Sequence, residues 1–235
     1  MTPSLIDVGF DTRSDSDGQD PDRYSATLRR YHQILWSRPL PNGVVFELSD
    51  TIPDAYLHHS STVGEHYLSS DSIVHTYSYW ESMHPIVSEL DPAEMEQFET
   101  LACTIGGYIV FPGNKIDGMM TINGARGFSR TIADRFDLTL ECIRRHYRGE
   151  PSPLDSVLAR YRTFFDLFVD FHGYVDFFLL QDLVDERTGT VRFLMPFDDF
   201  RPPAVPHDVD SYRSYRDAAM CFTTNRNARI AQLGL

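Results

Sequence analysis

The sequence predicts an α+β fold, rich in helix and with a small antiparallel or mixed sheet, built as a single domain over residues 1–235. Three observations lead there. Several stretches repeat apolar residues at helical spacing behind a recognisable cap. A few short apolar runs bounded by glycine, proline or asparagine read as strands. The two kinds of segment intermix, with no linker, internal repeat or low-complexity tract between them.

The chain has 235 residues, 42% of them apolar, including 16 Phe, 12 Tyr and 2 Trp. That is ample for a packed core. Residues 1–24 read as a partly irregular acidic segment. Its stretch "DTRSDSDGQDPD" has the composition of a calcium loop but not the positions. With Gly18 as the sixth residue, the first ligand would be Arg13 and the twelfth Tyr24. A solvated loop fits better.

"SATLRRYHQILWS" predicts a helix capped by Ser25, with Leu28, Tyr31 and Leu35 on one face. "PLPNG" ends it. "VVFELSD" reads as a strand, and "AYLHHSS" and "EHYLSSDSI" as short strands or loops. "SIVHTYSYWESM" reads as a helix capped by Asp71. "DPAEMEQFETLA" starts a helix with Asp91 as cap and Pro92 at the first position. "GGYIVFPGN" is a short buried strand. "TIADRFDLTLECIRRHYRG" predicts a helix opened by a Thr131/Asp134 capping box and stopped by Gly149 and Pro151. A further helix is expected from Ser152 to the His172-Gly173 break, and "YVDFFLLQDLV" is apolar enough for a buried helix. "TGTVRFLMPF" reads as a strand, and the segment from Asp208 onwards as a closing helix.

The formal net charge is −13. Such a chain does not offer a broad duplex nucleic-acid surface or a basic membrane-binding face. Lys115 is the only lysine. Arginine abundance of this kind follows from codon usage and does not itself indicate phosphate recognition. Cys103, Cys142 and Cys221 are far apart and form no CxxC pair, so neither a disulfide framework nor a structural zinc is expected. No secretory signal or membrane-length apolar run is evident, which points to the cytoplasm.

Six of the 14 glycines fall between Gly106 and Gly127. A strand, a glycine-rich segment and a helix start, in that order, can present backbone N–H groups to an anion. Arg126 and Arg130 flank the expected helix start and carry donor forks suited to phosphate or carboxylate. Asn123, Gly124, Arg126, Gly127 and Arg130 are therefore the candidate ligand-binding residues, with Arg135 a further arginine of interest. From Arg126 to Arg148 six arginines face Asp134, Asp137 and Glu141, a local sum of +3. The competing reading is a structural turn whose arginines pair with nearby acids. The second candidate is "YLHHSSTVGEHYLSSDS". Here His58 and His59 are candidate proton-transfer residues, although on a strand they point to opposite faces. No metal-ligand spacing, Rossmann fingerprint, P-loop, GxSxG or HExxH motif is present, so no metal or cofactor is named.

Taken together, "FDTRSDSDGQDPD", "TLRRYHQILWSRPLPNG", "YLHHSS", "IGGYIVFPGN", "INGARG", "DRFDLTLECIRRHYRG" and "GYVDFFLLQDLV" resemble a family of uncharacterised bacterial proteins. The resemblance covers nearly the whole chain. It implies one complete unit and carries no activity or catalytic residue with it. Three functional classes stay open: a protein that binds or processes a small phosphate-bearing, nucleotide-like ligand; a non-enzymatic interaction protein of defence or regulation; and a nucleic-acid-cleaving toxin.

Overall fold

The computed structural model describes residues 5–202 and 204–235. It is an α+β protein. The helices, in chain order, are α1 (Pro21–Tyr24), α2 (Ala26–Trp36), α3 (His84–Val87), α4 (Pro92–Ala102), α5 (Ile122–Phe128), α6 (Phe136–Arg148), α7 (Asp155–Arg160), α8 (Arg162–Asp166), α9 (Phe171–Phe177) and α10 (Val209–Gln232). Three strands, β1 (Leu57–Ser61), β2 (Gly64–Ser72) and β3 (Tyr108–Pro112), form an antiparallel sheet in the order β1-β2-β3. The register pairs His58 with Tyr67, and Asp71 with Ile109. Every residue of β3 is buried, as its unbroken run "YIVFP" requires.

Capping explains where several helices begin. Ser25 accepts from the Leu28 N–H at 3.0 Å, and Asp91 from the Ala93 N–H at 2.8 Å. Asp208 and Ser211 form a reciprocal capping box at the start of α10. The acidic N-terminal segment is built into the fold. Asp15 accepts from Ser25 Oγ and from the Thr27 N–H, at 2.5 and 2.9 Å, and so anchors the start of α2. The buried apolar side chains make one continuous cluster.

Four expected elements take other forms. "VVFELSD" makes only single bridges, Val45 to Pro39 and Ser49 to His58. "TGTVRFLMPF" makes one bridge, between Val191 and Val184. Its backbone is instead bound by the pair Arg135–Asp137. Asp137 accepts from the Leu194 N–H at 2.9 Å, and Arg135 donates to the Met195 carbonyl at 3.3 Å. "SIVHTYSYWESM" does not form the helix that Asp71 was expected to cap, because α10 pins it. Tyr212 Oη donates to the Thr76 carbonyl at 2.5 Å and Tyr215 Oη to the His75 carbonyl at 2.8 Å. The single helix expected from Ser152 breaks at Tyr161 into α7 and α8, and His172-Gly173 lie inside α9, capped by Asp170.

α10 holds the sheet through two buried side chains. Arg226 donates to the carbonyls of Gly106, Tyr108 and Phe178 at 2.7–3.1 Å. Asn227 accepts from the Gly106 N–H and donates to Thr104 Oγ1, both at 2.8 Å. The backbone approach here is close enough to need glycine. A Cβ on Gly107 would overlap the Ala102 carbonyl oxygen, which is main chain and cannot swing away. Gly107→Ala is therefore expected to cost about 3 kcal/mol, which lowers the melting temperature by roughly 6–12 °C. A melting temperature matching the wild type would contradict this packing.

Candidate functional site

"TINGARGFSR" is itself a helix. Thr121 caps α5, and its Oγ1 accepts from the Gly124 N–H at 3.4 Å. The expected capping box at Thr131 and Asp134 does not form. Ala133 and Asp134 have φ values of 49° and 57°, which a right-handed helix cannot hold. Their carbonyls are committed elsewhere: Tyr77 Oη donates to the Ala133 carbonyl at 2.9 Å and Arg126 to the Asp134 carbonyl at 2.9 Å. The next helix, α6, starts only at Phe136, after Arg135.

Arg126 is fully buried. Its guanidinium bonds to the Asp71 carboxylate, the Ser72 and Asp134 carbonyls and Thr139 Oγ1. Its donors are turned into the protein, not towards solvent. The arginine island is compensated in the same way. Arg135 pairs with Asp137, Arg144 and Arg145 with Glu141, and Arg148 with Glu150. Arg130 is exposed on the surface. Gly127 packs against the Asp134 carboxylate, and Gly124 against Met120.

Asn123, three residues before Arg126 and on the same face of α5, also reaches β2 and lines a cavity of about 1050 Å³ between the α1–α2 region, the loop 50–56 and β2. Asn123 Nδ2 donates to Ser69 Oγ at 3.2 Å and to the Ser70 carbonyl at 3.0 Å. A carbonyl only accepts, so the amide orientation is fixed. That leaves Asn123 Oδ1, a buried acceptor with no donor. Tyr56 lines the same cavity. Its buried Oη lies beside Ser70 without making a well-formed hydrogen bond. Arg23 and Arg29 also line it. They stack over Tyr24 and Tyr56, at 5.3 and 4.9 Å from the ring centroids, and form no salt bridge among the described residues.

A directed hydrogen-bond chain runs from the buried core to the cavity wall at Ser70 and Asp22. The Trp36 indole donates to His32 Nδ1 at 2.9 Å. Indole N–H is only a donor, so the neutral His32 ring carries its proton on Nε2 and donates to Ser70 Oγ at 3.2 Å. Ser70 then donates to Asp22 Oδ1 at 2.9 Å. The other Asp22 oxygen accepts from the Ser72 N–H at 3.1 Å. This polarity is opposite to that of a histidine-activated serine nucleophile. Burial, then the charge of Arg226, lowers His32 to about 3, so it stays neutral.

Asp22 and Asp71 meet here in unlike surroundings. Burial, then the neighbouring charge of Asp71, pushes Asp22 well above the ordinary carboxylate range. Burial raises Asp71 to about 6, against the opposing effect of Arg126. A second cavity of about 590 Å³ is lined by the same two aspartates on its own side, together with His75, Cys103 and Asp134. His75 Nδ1 accepts from the Tyr77 N–H at 2.9 Å, and its Nε2 lies 3.9 Å from Asp134. Burial lowers its basicity.

His58 and His59 lie on opposite faces of β1, as the alternation predicts, and neither lines these cavities. His58 Nε2 donates to Glu65 at 3.0 Å. His59 is buried, with Nδ1 donating to the Glu47 carbonyl and Nε2 accepting from Ser61 Oγ, both at 2.8 Å. Among the described residues no group of three or more His, Cys, Asp or Glu side chains is placed to hold a metal, and no helix is long and apolar enough to cross a membrane. Asp22, Asp71, Tyr56, Arg29 and Ser70 carry no motif. Only their position in the fold brings them to Asn123.

The chain belongs to a family of unknown function, DUF6994, whose model matches residues 6–230. No curated protein and no solved structure shows significant similarity to it.

The raised carboxyls have a measurable consequence. With a folded pKa above the unfolded value of about 3.9, Asp22 binds its proton more tightly in the native state. Its contribution to stability is complete below that unfolded value and is lost as pH rises through the folded one. Asp22→Asn removes this loss. The melting temperature of the variant minus that of the wild type should therefore increase between about pH 4 and pH 7. Thermal denaturation across that range checks it, and a difference that stays constant or shrinks would contradict the assignment.

Proposed function

We propose that this protein binds a small phosphate-bearing, nucleotide-like molecule in the cavity lined by Tyr56 and Asn123. The observation that carries the reading is the buried Asn123 Oδ1, an acceptor left without a donor. Such a group is costly to leave unsatisfied and is rare in a protein interior. Its partner has to present an N–H or O–H, as a nucleobase edge or a sugar hydroxyl does. A phosphate oxygen does not fit that position.

The anionic end of the ligand falls to Arg29 and Arg23, the arginines lining the cavity that form no salt bridge among the described residues. Their tyrosine stacks also supply flat surface suited to a base. In this reading Asn123 is a contact residue. Gly124, Arg126 and Gly127 serve the interior instead, Gly124 against Met120, Gly127 against the Asp134 carboxylate, and Arg126 bound to Asp71, Ser72, Asp134 and Thr139. The cavity volume suits a ligand of nucleotide size. The nuclease reading draws no support from the geometry, because neither His58 nor His59 lines the cavity and neither bonds to Arg126.

Differential scanning fluorimetry with AMP, GMP, CMP, UMP and ribose 5-phosphate tests the reading. At a concentration 100-fold above the dissociation constant, stabilisation of about 2.7 kcal/mol corresponds to a rise of roughly 5–10 °C. Arg29→Ala and Asn123→Ala should each weaken binding about 10-fold or more. If none of the five compounds raises the melting temperature, the reading is wrong.

A further inference from the structure

One side of α5 serves the interior and the other faces water. Its buried residues are Ile122 and Arg126. Gly124 and Phe128 lie one turn apart on a common face, about 200° around the helix from Arg126. Met120 lies against that face, its side chain filling the space where a residue other than glycine at 124 would carry its Cβ. Phe128 is 81% exposed, Met119 53% and Met120 44%. None of the three belongs to the buried apolar cluster or packs against it. Neighbouring large apolar side chains that leave the core untouched and stand in water mark a surface for a partner.

The charges around this stripe are mostly positive. Lys115 and Arg130 are exposed in the segments on either side of α5. Arg160 of α7 is tied to the stripe, donating to the Met120 carbonyl at 2.7 Å. None of these three cations forms a salt bridge among the described residues. The arginines of α6 differ, since Arg144, Arg145 and Arg148 are spent on Glu141 and Glu150. Between residues 113 and 131 the sole acid is Asp117. A chain of net charge −13 thus carries uncompensated cations beside its exposed apolar stripe.

We propose that this face docks an acidic segment of another protein, one whose bulky apolar side chains are interspersed with aspartates or glutamates. The apolar side chains cover Met119, Met120 and Phe128, and the carboxylates meet Lys115, Arg130 and Arg160. Methionine suits such a surface because its flexible side chain adapts to the shape of what it meets. Two other occupants fit the charges less well. A second copy seated on the same face sets the three cations against themselves. An anionic membrane meets the field of the whole acidic molecule, whereas a short segment meets only the patch, because charges beyond about 8 Å are screened at physiological ionic strength. Docking here needs no ligand in the Asn123 cavity.

The test selects binders of the full chain from a phage-displayed library of random peptides and measures the enriched sequences, as synthetic peptides, by fluorescence anisotropy. The expected peptides combine large apolar residues with net negative charge, and bind more weakly as salt rises. Phe128→Ser and the double variant Lys115→Glu/Arg130→Glu should each weaken them about 10-fold or more. Both variants should melt within about 2 °C of the wild type, because the changed side chains lie outside the core. An absence of enriched peptides, enriched peptides that are neutral or basic, or binding untouched by Phe128→Ser overturns the proposal. So does a dimer in sedimentation analysis that Phe128→Ser dissolves, which makes a second copy the occupant. Binding to phosphatidylglycerol vesicles that Phe128→Ser abolishes makes the occupant a membrane and overturns it equally.

Discussion

The buried pair of Arg126 and Asp71 is the constraint on which the rest of the site depends. A guanidinium taken out of water is tolerated only when its donors are met, and here its partners are fixed: Asp71 and the Ser72 carbonyl on β2, the Asp134 carbonyl in the turn, and Thr139 on α6. One side chain on α5 thus joins the sheet, the turn and the following helix. The turn takes its left-handed residues at 133 and 134 in order to deliver the Asp134 carbonyl. Asn123, three residues earlier on the same face of α5, bonds to the neighbouring Ser69 and Ser70 of β2 and lines the cavity.

The same device recurs. Arg135 and Asp137 bind the backbone around Leu194 and the Ala204 carbonyl, and Arg226 binds three main-chain carbonyls without any carboxylate. Arginine suits this role because its planar fork reaches several acceptors at once and holds its charge when buried. Burial lowers Arg226 only to about 9, so it remains a cation at neutral pH. Arginine is thus used inside this acidic protein as a cross-linking group.

How much of this was legible in the sequence depended on whether the determinant was local. Helices α2, α4 and α10 were readable because Ser25, Asp91 and Asp208 cap them within three residues. Strand β3 was readable from its unbroken apolar run, whereas the mixed segments of β1 and β2 read only as strands or loops. The Thr131 capping box and the helix after Asp71 were misread because remote groups, Tyr77, Arg126, Tyr212 and Tyr215, take the carbonyls involved. In the candidate site only Asn123 was legible as a cavity residue. Arg126 was noticed for its charge, which in the fold serves the interior. Asp22 and Asp71 are 49 positions apart in the chain, and no spacing rule joins them.

The cavity's chemistry follows from that interior pairing: fixing Asp71 beside Arg126 sets the unlike environments of the two aspartates. A double-mutant cycle on Arg126→Met and Asp71→Asn, read by chemical denaturation, tests this directly. If the pair is the constraint described, each single change strands a buried partner and costs about 3–5 kcal/mol, while the double variant recovers much of that loss. Coupling of about 2 kcal/mol or more is the expected result. Additive losses, with coupling near zero, would show that the two side chains do not depend on each other.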